Sequence, residues 1–226
     1  MKIIIDPLHE GARRAKGLVI LIDVLRFCTT VAYIFGAGAE KIYPVKEVHE
    51  ALALKKQNPE YVLVGERKGF KLKGMDHGNS PSALKDKDLS GKIVVATTSN
   101  ATLGISNAKK ADELLLGNFV NMQATIDYIK KKNPEIVTIV PIGIFNKPAE
   151  EDELCAEFMK DLLEGKVLDF EKIKKQVINC PKGEKFRDKN HSEFPEEDLY
   201  LSVDINKFNF ALKVIEEDGH LEIVKA

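Results

Sequence analysis

Short apolar runs alternate with stretches of helical periodicity along this sequence, and that alternation most limits the possible folds. Most of the runs are continuously apolar, as expected for strands that helices cover on both faces. Strand–helix alternation predicts β-α-β units and a mostly parallel sheet. The predicted strands are residues 2–5, 18–22, 41–45, 61–64, 92–96, 113–116 and 136–141. The predicted helices are residues 27–36, 46–57, 100–110, 120–132 and 150–164.

The last third of the chain follows a different pattern. Residues 169–177 are amphipathic, and residues 180–195 are polar and predicted to be irregular. Asp218-Gly219 separates two strand-like segments, which is a strong hairpin signal. The sequence therefore predicts an α/β fold, a layered α/β/α arrangement with a mostly parallel sheet and a C-terminal antiparallel hairpin. We expect one domain over residues 1–226, or two α/β halves that divide near residue 115.

Composition excludes several classes of function. The chain has 226 residues and a net charge of −1, so bulk charge gives no reason to bind nucleic acid. An apolar run of about 18 residues, the length that a membrane helix needs, does not occur in the sequence. The N-terminal apolar stretch is too short for a secretory signal. We therefore predict a cytoplasmic protein with no nucleic-acid or membrane partner.

Polar residues collect where the predicted strands end. In open α/β sheets, ligands bind beyond the carboxyl ends of the strands, so these residues are expected to share one edge of the sheet. Carboxylates there suit Mg²⁺, while arginines, hydroxyls and helix N-termini suit a phosphate group. Together they predict metal-assisted attack on a phosphate ester. The residues concerned are Asp23, Arg26, Glu66, Arg67, Asp76, Asn79, Ser80, Thr97, Thr98 and Asp152.

Simpler interpretations exist for each group. Asp23 could simply cap the helix that begins at Phe27, and Arg26 could be its ion-pair partner. Residues 65–67 could form a surface turn, and residues 97–100 could be a cap-rich loop. Residues 150–152 have the acidic character that is favourable in the first turn of any helix. The hypothesis of a phosphate site therefore depends on all the groups meeting at one edge.

Several short motifs follow one another along the chain in a fixed order. They are Ile22–Arg26 with Thr29-Thr30, Gly65–Arg67 with Gly69, Gly74–Pro81, Thr97-Thr98 with Thr102, Asn118 with Asn121, and Glu151-Asp152 with Cys155-Ala156. This ordered set resembles the 2-phosphosulfolactate phosphatase family. The similarity implies a layered α/β fold and Mg²⁺-dependent hydrolysis of 2-phosphosulfolactate to sulfolactate and phosphate, a step of coenzyme M biosynthesis. Such chains often form homodimers.

The residues and the resemblance together predict the roles at the site. Catalytic roles are assigned to Asp23, Arg26, Glu66 and Arg67, and the Mg²⁺ ligands are Asp23, Glu66 and Asp152. The predicted substrate-binding residues are Asp76, Asn79, Ser80, Thr97 and Thr98.

Some pocket residues depart from the family pattern. Phe27 stands where a small residue is usual, and Ser99-Asn100-Ala101 replaces a usual Asn-Gly. Two alternatives follow: a related phosphatase for another small anionic phosphoester, or a non-catalytic phosphoanion-binding protein.

Overall fold

Apolar runs form ten strands of one sheet in the computed structural model, which describes residues 1–167 and 169–226. The predicted strands are confirmed, with ends shifted by a few residues, and β5 pairs with β4 as a short hairpin that the sequence did not indicate. The strands are β1 (Lys2–Ile5), β2 (Gly17–Ile22), β3 (Lys41–Pro44), β4 (Val62–Arg67), β5 (Phe70–Lys71), β6 (Ile93–Thr97), β7 (Ala111–Gly117), β8 (Ile136–Pro141), β9 (Leu212–Glu217) and β10 (His220–Lys225).

Helices connect most of these strands. The five helices predicted before residue 165 are confirmed, as is the amphipathic one after it. Short helices α1, α4 and α10 have too few turns to show helical periodicity in the sequence. The helices are α1 (Leu8–Arg14), α2 (Phe27–Gly36), α3 (Val48–Gln57), α4 (Pro81–Leu84), α5 (Ala101–Asn107), α6 (Met122–Lys132), α7 (Glu150–Leu163), α8 (Phe170–Ile178), α9 (Pro181–Arg187) and α10 (Glu196–Ser202).

The prediction of irregular chain over residues 180–195 is wrong for its first half, where α9 lies. Pro181 occupies the first turn, where its missing N–H is not needed. Gly183 weakens the helical signal in the sequence but is needed here, since a Cβ on it would lie 2.6 Å from the Ile178 carbonyl oxygen. Close packing against α8 therefore explains why a glycine sits inside this helix.

The sheet contains two parallel groups in the order β1-β8-β2-β7-β9-β10-β3-β6-β4-β5. Strands β1, β8, β2 and β7 are parallel, as are β3, β6 and β4. Three antiparallel pairings, β7 with β9, β9 with β10 and β10 with β3, lie between the groups. The predicted hairpin is thus confirmed, and it joins two groups that run in opposite directions.

The sheet is strongly curled. Strands β2 and β4 are six positions apart, which would separate them by roughly 29 Å in a flat sheet. Yet Asp23, directly after β2, and Glu66, in β4, line the same cavity. A twist of roughly 20–25° between neighbouring strands accumulates across these six positions and helps to bring the two residues together.

Strand β2 shows the layering most clearly. Val19 and Leu21 belong to one buried cluster with α2 and α5, while Leu18, Ile20 and Ile22 belong to another with α6, α7 and α8. Since successive side chains of a strand point to opposite faces, helices cover both sides of the sheet. The predicted α/β/α arrangement is confirmed. Whether the chain is one domain or two halves stays a prediction.

None of the helices in residues 1–167 and 169–226 is long and apolar enough to cross a membrane.

The central hairpin should contribute strongly to stability. Ile223 is fully buried in β10, opposite Ile42 of β3 and Val214 of β9. We expect Ile223→Ala to lower the free energy of unfolding by about 2–5 kcal/mol, because it leaves a cavity where the two parallel groups are joined. Urea unfolding followed by circular dichroism measures this change.

Leu52→Ala is the control, since Leu52 is 42% exposed on α3. It should change the free energy of unfolding by about 0.5 kcal/mol or less. Equal effects of the two substitutions would contradict a structural role for the hairpin.

Candidate active site

Asp23 begins the loop that follows β2 and is 8% exposed. Its Oδ1 accepts a hydrogen bond from the Phe27 N–H at 3.1 Å, so it does cap the start of α2. Within the part of the chain that the structure describes, its Oδ2 has no hydrogen-bond donor, and Asp23 lines a cavity. Asp23 therefore combines the capping role of the simpler interpretation with a free oxygen in the predicted site.

Asp152 ties two loops together at the base of this site. Its Oδ1 accepts the Val24 N–H at 2.8 Å, and its Oδ2 accepts the Gly143 N–H at 3.1 Å. These two N–H groups belong to the loops after β2 and β8. Asp152 is 1% exposed, and both of its oxygens are occupied. Its position supports a positioning role, and its role as a metal ligand stays a prediction.

Buried carboxyl groups dominate the electrostatics here. Burial raises the pKa of Asp23, and the carboxylates of Glu66 and Glu151 raise it further. The positive charge of Lys182 lowers it but does not outweigh these effects. Burial also raises the pKa of Asp152 well above its usual range, with Glu151 and Asp23 adding to the effect. A proton or a cation beside Asp23 relieves this repulsion, so the site favours a neighbouring positive charge.

Lys182 of α9 supplies one such charge. Its ammonium lies 3.0 Å from Oε1 of Glu151, which is 1% exposed. Burial by itself lowers the pKa of Lys182, but Glu151, Asp23 and Asp152 outweigh burial and raise it. Lys182 therefore stays protonated while it lines the cavity.

Arg26 lies in the same loop as Asp23 but does not pair with it. Its Nη1 donates to the Asp198 carboxylate at 2.9 Å and to the Glu193 carbonyl oxygen at 2.8 Å. Its Nη2 donates to the Gly69 carbonyl oxygen at 2.9 Å. The guanidinium also lies 5.0 Å from the centre of the Phe194 ring. Arg26 lines the cavity, as its predicted role requires, but several of its donors are already engaged.

Asp198 of α10 is the buried partner that sequence reasoning missed. Its Oδ1 accepts hydrogen bonds from the Ser80 hydroxyl at 2.9 Å and from the Ser82 N–H at 2.9 Å. Helix α4 begins at Pro81, directly after Ser80, and the anion at that start is the Asp198 carboxylate. Ser80 thus contacts the Arg26–Asp198 pair, and its predicted role in substrate binding stays a prediction.

Glu66 is held in place by backbone donors and a hydroxyl. Its Oε1 accepts the Ser99 N–H at 2.7 Å, and its Oε2 accepts the Gly69 N–H at 2.5 Å and the Ser99 hydroxyl at 3.1 Å. Lys68 and Gly69 have positive φ of 57° and 87°, as a tight two-residue hairpin turn requires. This turn brings Gly69 over Glu66 and next to Arg26.

Arg67 and the predicted threonines lie away from the cavity. Arg67 follows Glu66 in β4, so its side chain projects from the opposite face of the strand. Its Nη2 donates to the Lys46 carbonyl oxygen and to Oγ1 of Thr97, both at 3.0 Å. Thr98 instead exchanges hydrogen bonds with Thr102 at the start of α5. These contacts are structural, and the predicted catalytic role of Arg67 and binding roles of Thr97 and Thr98 stay predictions.

Asp76 lies in a separate pocket. Its Oδ2 accepts the Leu63 N–H at 2.8 Å, and the Lys55 ammonium lies 3.4 Å from the same oxygen. His77, the histidine nearest to the motifs, lines that second pocket as well. The predicted role of Asp76 in the same site as Asp23 therefore has no geometric support.

The cavity that Asp23 lines has a volume of about 130 Å³, enough for a small ligand. It mixes carboxylates with a larger set of cations and is bounded by aromatic rings on one side. Sequence reasoning missed its α9 residues, whose only signal was two lysines three positions apart beside a phenylalanine. The lining residues are Asp23, Leu25, Arg26, Glu66, Lys68, Gly69, Asn79, Ser99, Asn100, Gly143, Ile144, Phe145, Lys182, Lys185, Phe186 and Phe194.

The cavity offers some of the oxygen ligands that a magnesium ion needs. The described residues contain no group of three or more His, Cys, Asp or Glu side chains arranged to hold a metal. Mg²⁺ does not require such a group, since it often uses one or two carboxylates together with waters and substrate oxygens. Oδ1 of Asn79 is buried without a hydrogen-bond partner in the described structure, and Oδ2 of Asp23 is free. Asp23 and Asn79 both line the cavity, and their oxygen atoms are hard donors of the type that Mg²⁺ prefers.

The sequence profile of the family described as 2-phosphosulpholactate phosphatase matches residues 4–208. The chain belongs to the 2-phosphosulpholactate phosphatase family. Membership confirms the resemblance seen in the sequence and the predicted enzyme class, a phosphoric monoester hydrolase.

Similar proteins from several bacteria carry the name probable 2-phosphosulfolactate phosphatase. The protein from Carboxydothermus hydrogenoformans is 41% identical over 164 residues, which cover 72% of this chain and 68% of that protein. The Bacillus subtilis protein is 30% identical over 229 residues, covering 100% of this chain and 98% of its own length. The Caldanaerobacter subterraneus protein is 32% identical, covering 92% and 81% respectively. The family similarity therefore includes the C-terminal segment with α9 and α10.

The buried Arg26–Asp198 pair should be essential to this family member. We expect Asp198→Asn to lower the free energy of unfolding by about 3–5 kcal/mol, because it leaves the Arg26 charge buried without its counterion. Urea unfolding measures the loss. Glu197→Gln is the matched control, since Glu197 pairs with Lys85 but is 53% exposed, and it should cost about 0–1 kcal/mol. Similar losses for both variants would contradict the importance of the buried pair.

Gly69 should tolerate no side chain. Its φ is +87°, and a Cβ there would overlap the buried ring of Phe194. Gly91 is a matched control, with φ of +64° and no atom within 4 Å of the place that a Cβ would take. We expect Gly91→Ala to cost about 1 kcal/mol from backbone strain alone.

Gly69→Ala should cost clearly more than Gly91→Ala, because Phe194 must move and open the cavity wall. Thermal unfolding of the two variants compares the losses, and phosphate release reports the effect on the site. An equal loss of stability in both would show that the Phe194 contact does not matter.

Proposed function

We propose that this chain is a Mg²⁺-dependent phosphatase that hydrolyses 2-phosphosulfolactate to sulfolactate and phosphate. The observation that carries the proposal is the cavity in which a free Asp23 oxygen faces a set of cationic side chains. The names of the relatives support the substrate. The place in coenzyme M biosynthesis, the cytoplasmic location and the homodimer remain predictions.

Charge and size both support a small, multiply anionic ester. The carboxylates that line the cavity are Asp23 and Glu66, and its four cations outnumber them. Arg26 and Lys182 are paired with Asp198 and Glu151, so Lys68 and Lys185 are the lining cations that remain for the further anionic groups of a substrate with phosphate, sulfonate and carboxylate. The cationic residues are Arg26, Lys68, Lys182 and Lys185.

Asp23 is suited to act as the general base. Its free Oδ2 could accept a proton from a water molecule that attacks the phosphorus atom, while the ester P–O bond breaks on the opposite side. The leaving alkoxide then takes up a proton and becomes the alcohol of sulfolactate. Arg26 and Lys182 would stabilise the negative charge that develops during this step. Asp76, which the sequence predicts to bind substrate, lines a different pocket.

Asn79 would hold the Mg²⁺ ion directly, and Asp23 would contact it only through the water molecule whose proton Oδ2 accepts; Glu66 lines the same cavity. The ion would supply charge neutralisation for the phosphoryl oxygens. A positive ion there would also relieve the repulsion among carboxylates that raises the pKa of Asp23.

Phosphate release from synthetic 2-phosphosulfolactate tests this proposal. We expect release with Mg²⁺, loss of release with EDTA, and a decrease of about 100-fold or more in Asp23→Asn, which removes the base. Asp112→Asn is the control, because Asp112 is exposed and does not line the cavity. Phospholactate, phosphoglycolate and p-nitrophenyl phosphate complete the substrate panel.

The outcomes separate the alternatives. Release from the panel but not from 2-phosphosulfolactate would retain a phosphatase and reject the substrate. Absence of release from every ester, by protein whose circular dichroism shows that it is folded, would reject the enzyme and favour a phosphoanion-binding protein. Release that is insensitive to EDTA would reject the metal.

A further inference from the structure

Three cations of the cavity differ in how their charge is neutralised. The Arg26 guanidinium pairs with Asp198 at 2.9 Å, and the Lys182 ammonium pairs with Glu151 at 3.0 Å. Lys185, one turn further along α9, has no carboxylate partner or hydrogen-bond acceptor within residues 1–167 and 169–226. It is exposed at the mouth of the cavity that it helps to line. Lys68, the fourth cation of the cavity, also has no carboxylate partner within these residues, so Lys185 and Lys68 are the cations with capacity for an external anion.

An aromatic ring holds Lys185 in place. Its ammonium lies 3.9 Å from the centre of the Phe194 ring, a cation–π contact. That ring makes edge-to-face contacts with Phe186 at 5.5 Å and with Phe70 at 5.7 Å, so it is fixed on two sides. Lys185 thus differs from a freely solvated lysine, because its position at the cavity mouth is defined.

Like charges surround Lys185. Partial burial lowers its pKa, and the charges of Lys182 and Arg26 lower it further. A bound anion at the mouth would reduce this repulsion. Lys182 instead pairs with Glu151, and the neighbouring Asp152 accepts a hydrogen bond from the Val24 N–H directly after Asp23, so Lys182 lies on the side where the reaction is proposed to occur. The two lysines of α9 therefore lie at different positions along the cavity, with Lys182 on the Asp23 side and Lys185 at the mouth.

We propose that Lys185 binds the anionic group of the substrate that is not transferred, a sulfonate or carboxylate, and so determines specificity for multiply anionic esters. Lys182 binds the phosphoryl group beside Asp23. This assignment rests on the proposed function, because it divides the groups of one substrate between the two lysines. Helix α9 is then the element that selects the substrate.

Binding of product-like anions tests the assignment without requiring turnover. Dissociation constants are measured by NMR titration of the folded protein with sulfolactate and with inorganic phosphate. We expect Lys185→Gln to weaken sulfolactate binding by about 10-fold or more while phosphate binding changes by about 2-fold or less. Lys185→Arg should largely restore sulfolactate binding, since it keeps the charge. Isethionate and lactate, each with one of the two anionic groups, show which group Lys185 contacts.

Lys189→Gln is the matched control, because Lys189 is exposed just after α9 and does not line the cavity. Equal behaviour of Lys185→Gln and Lys189→Gln, or equal weakening of sulfolactate and phosphate, would overturn the assignment. Failure to bind sulfolactate at all would overturn it too.

Turnover separates this proposal from the proposed function. Phosphate release by the wild-type protein with no selective effect of Lys185→Gln would reject only the role of Lys185. Selective loss of sulfolactate binding in a protein that releases no phosphate would retain the anion site and reject the enzyme.

Discussion

The buried ion pair between Arg26 and Asp198 organises the whole site. It joins the loop after β2 to α10, and its hydrogen bonds extend to Gly69 in the β4–β5 turn and to Ser80 and Ser82 at the start of α4. Burying two charges is costly unless each is paired and hydrogen-bonded. Here both conditions are met, so four segments that are distant in sequence are held at one place.

A second constraint is the crowding of carboxyl groups beneath the cavity. Asp152 is stabilised by two backbone N–H groups, Glu151 by Lys182, and Asp23 by the Phe27 N–H. These fixed partners hold the loops after β2 and β8 in a geometry that does not depend on a ligand, which is what a preorganised site requires. The carboxyl groups around Asp23 favour a bound cation, and the lining lysines favour a bound anion. The site therefore suits a cation and an anion that bind together.

Local signals in the sequence predicted much of the fold and part of the site. Strands and long helices were correct because their periodicity is a property of neighbouring residues. Asp23, Arg26, Glu66 and Asn79 do line one cavity, although β2 and β4 belong to groups that run in opposite directions and their carboxyl ends were not expected to meet. Arg67 does not, because consecutive strand residues point to opposite faces and the sequence does not say which face holds the site.

The sequence by itself determined the α/β class, the order of the elements and the family. Only the tertiary structure decided which charges are paired and which face the cavity. Arg26 meets Asp198 across 172 positions of the chain, and Glu66 of β4 shares a cavity with Asp23 although β2 and β4 lie six positions apart in the sheet. Such partnerships leave no local pattern, since they depend on how distant segments pack and not on the spacing of residues within one segment.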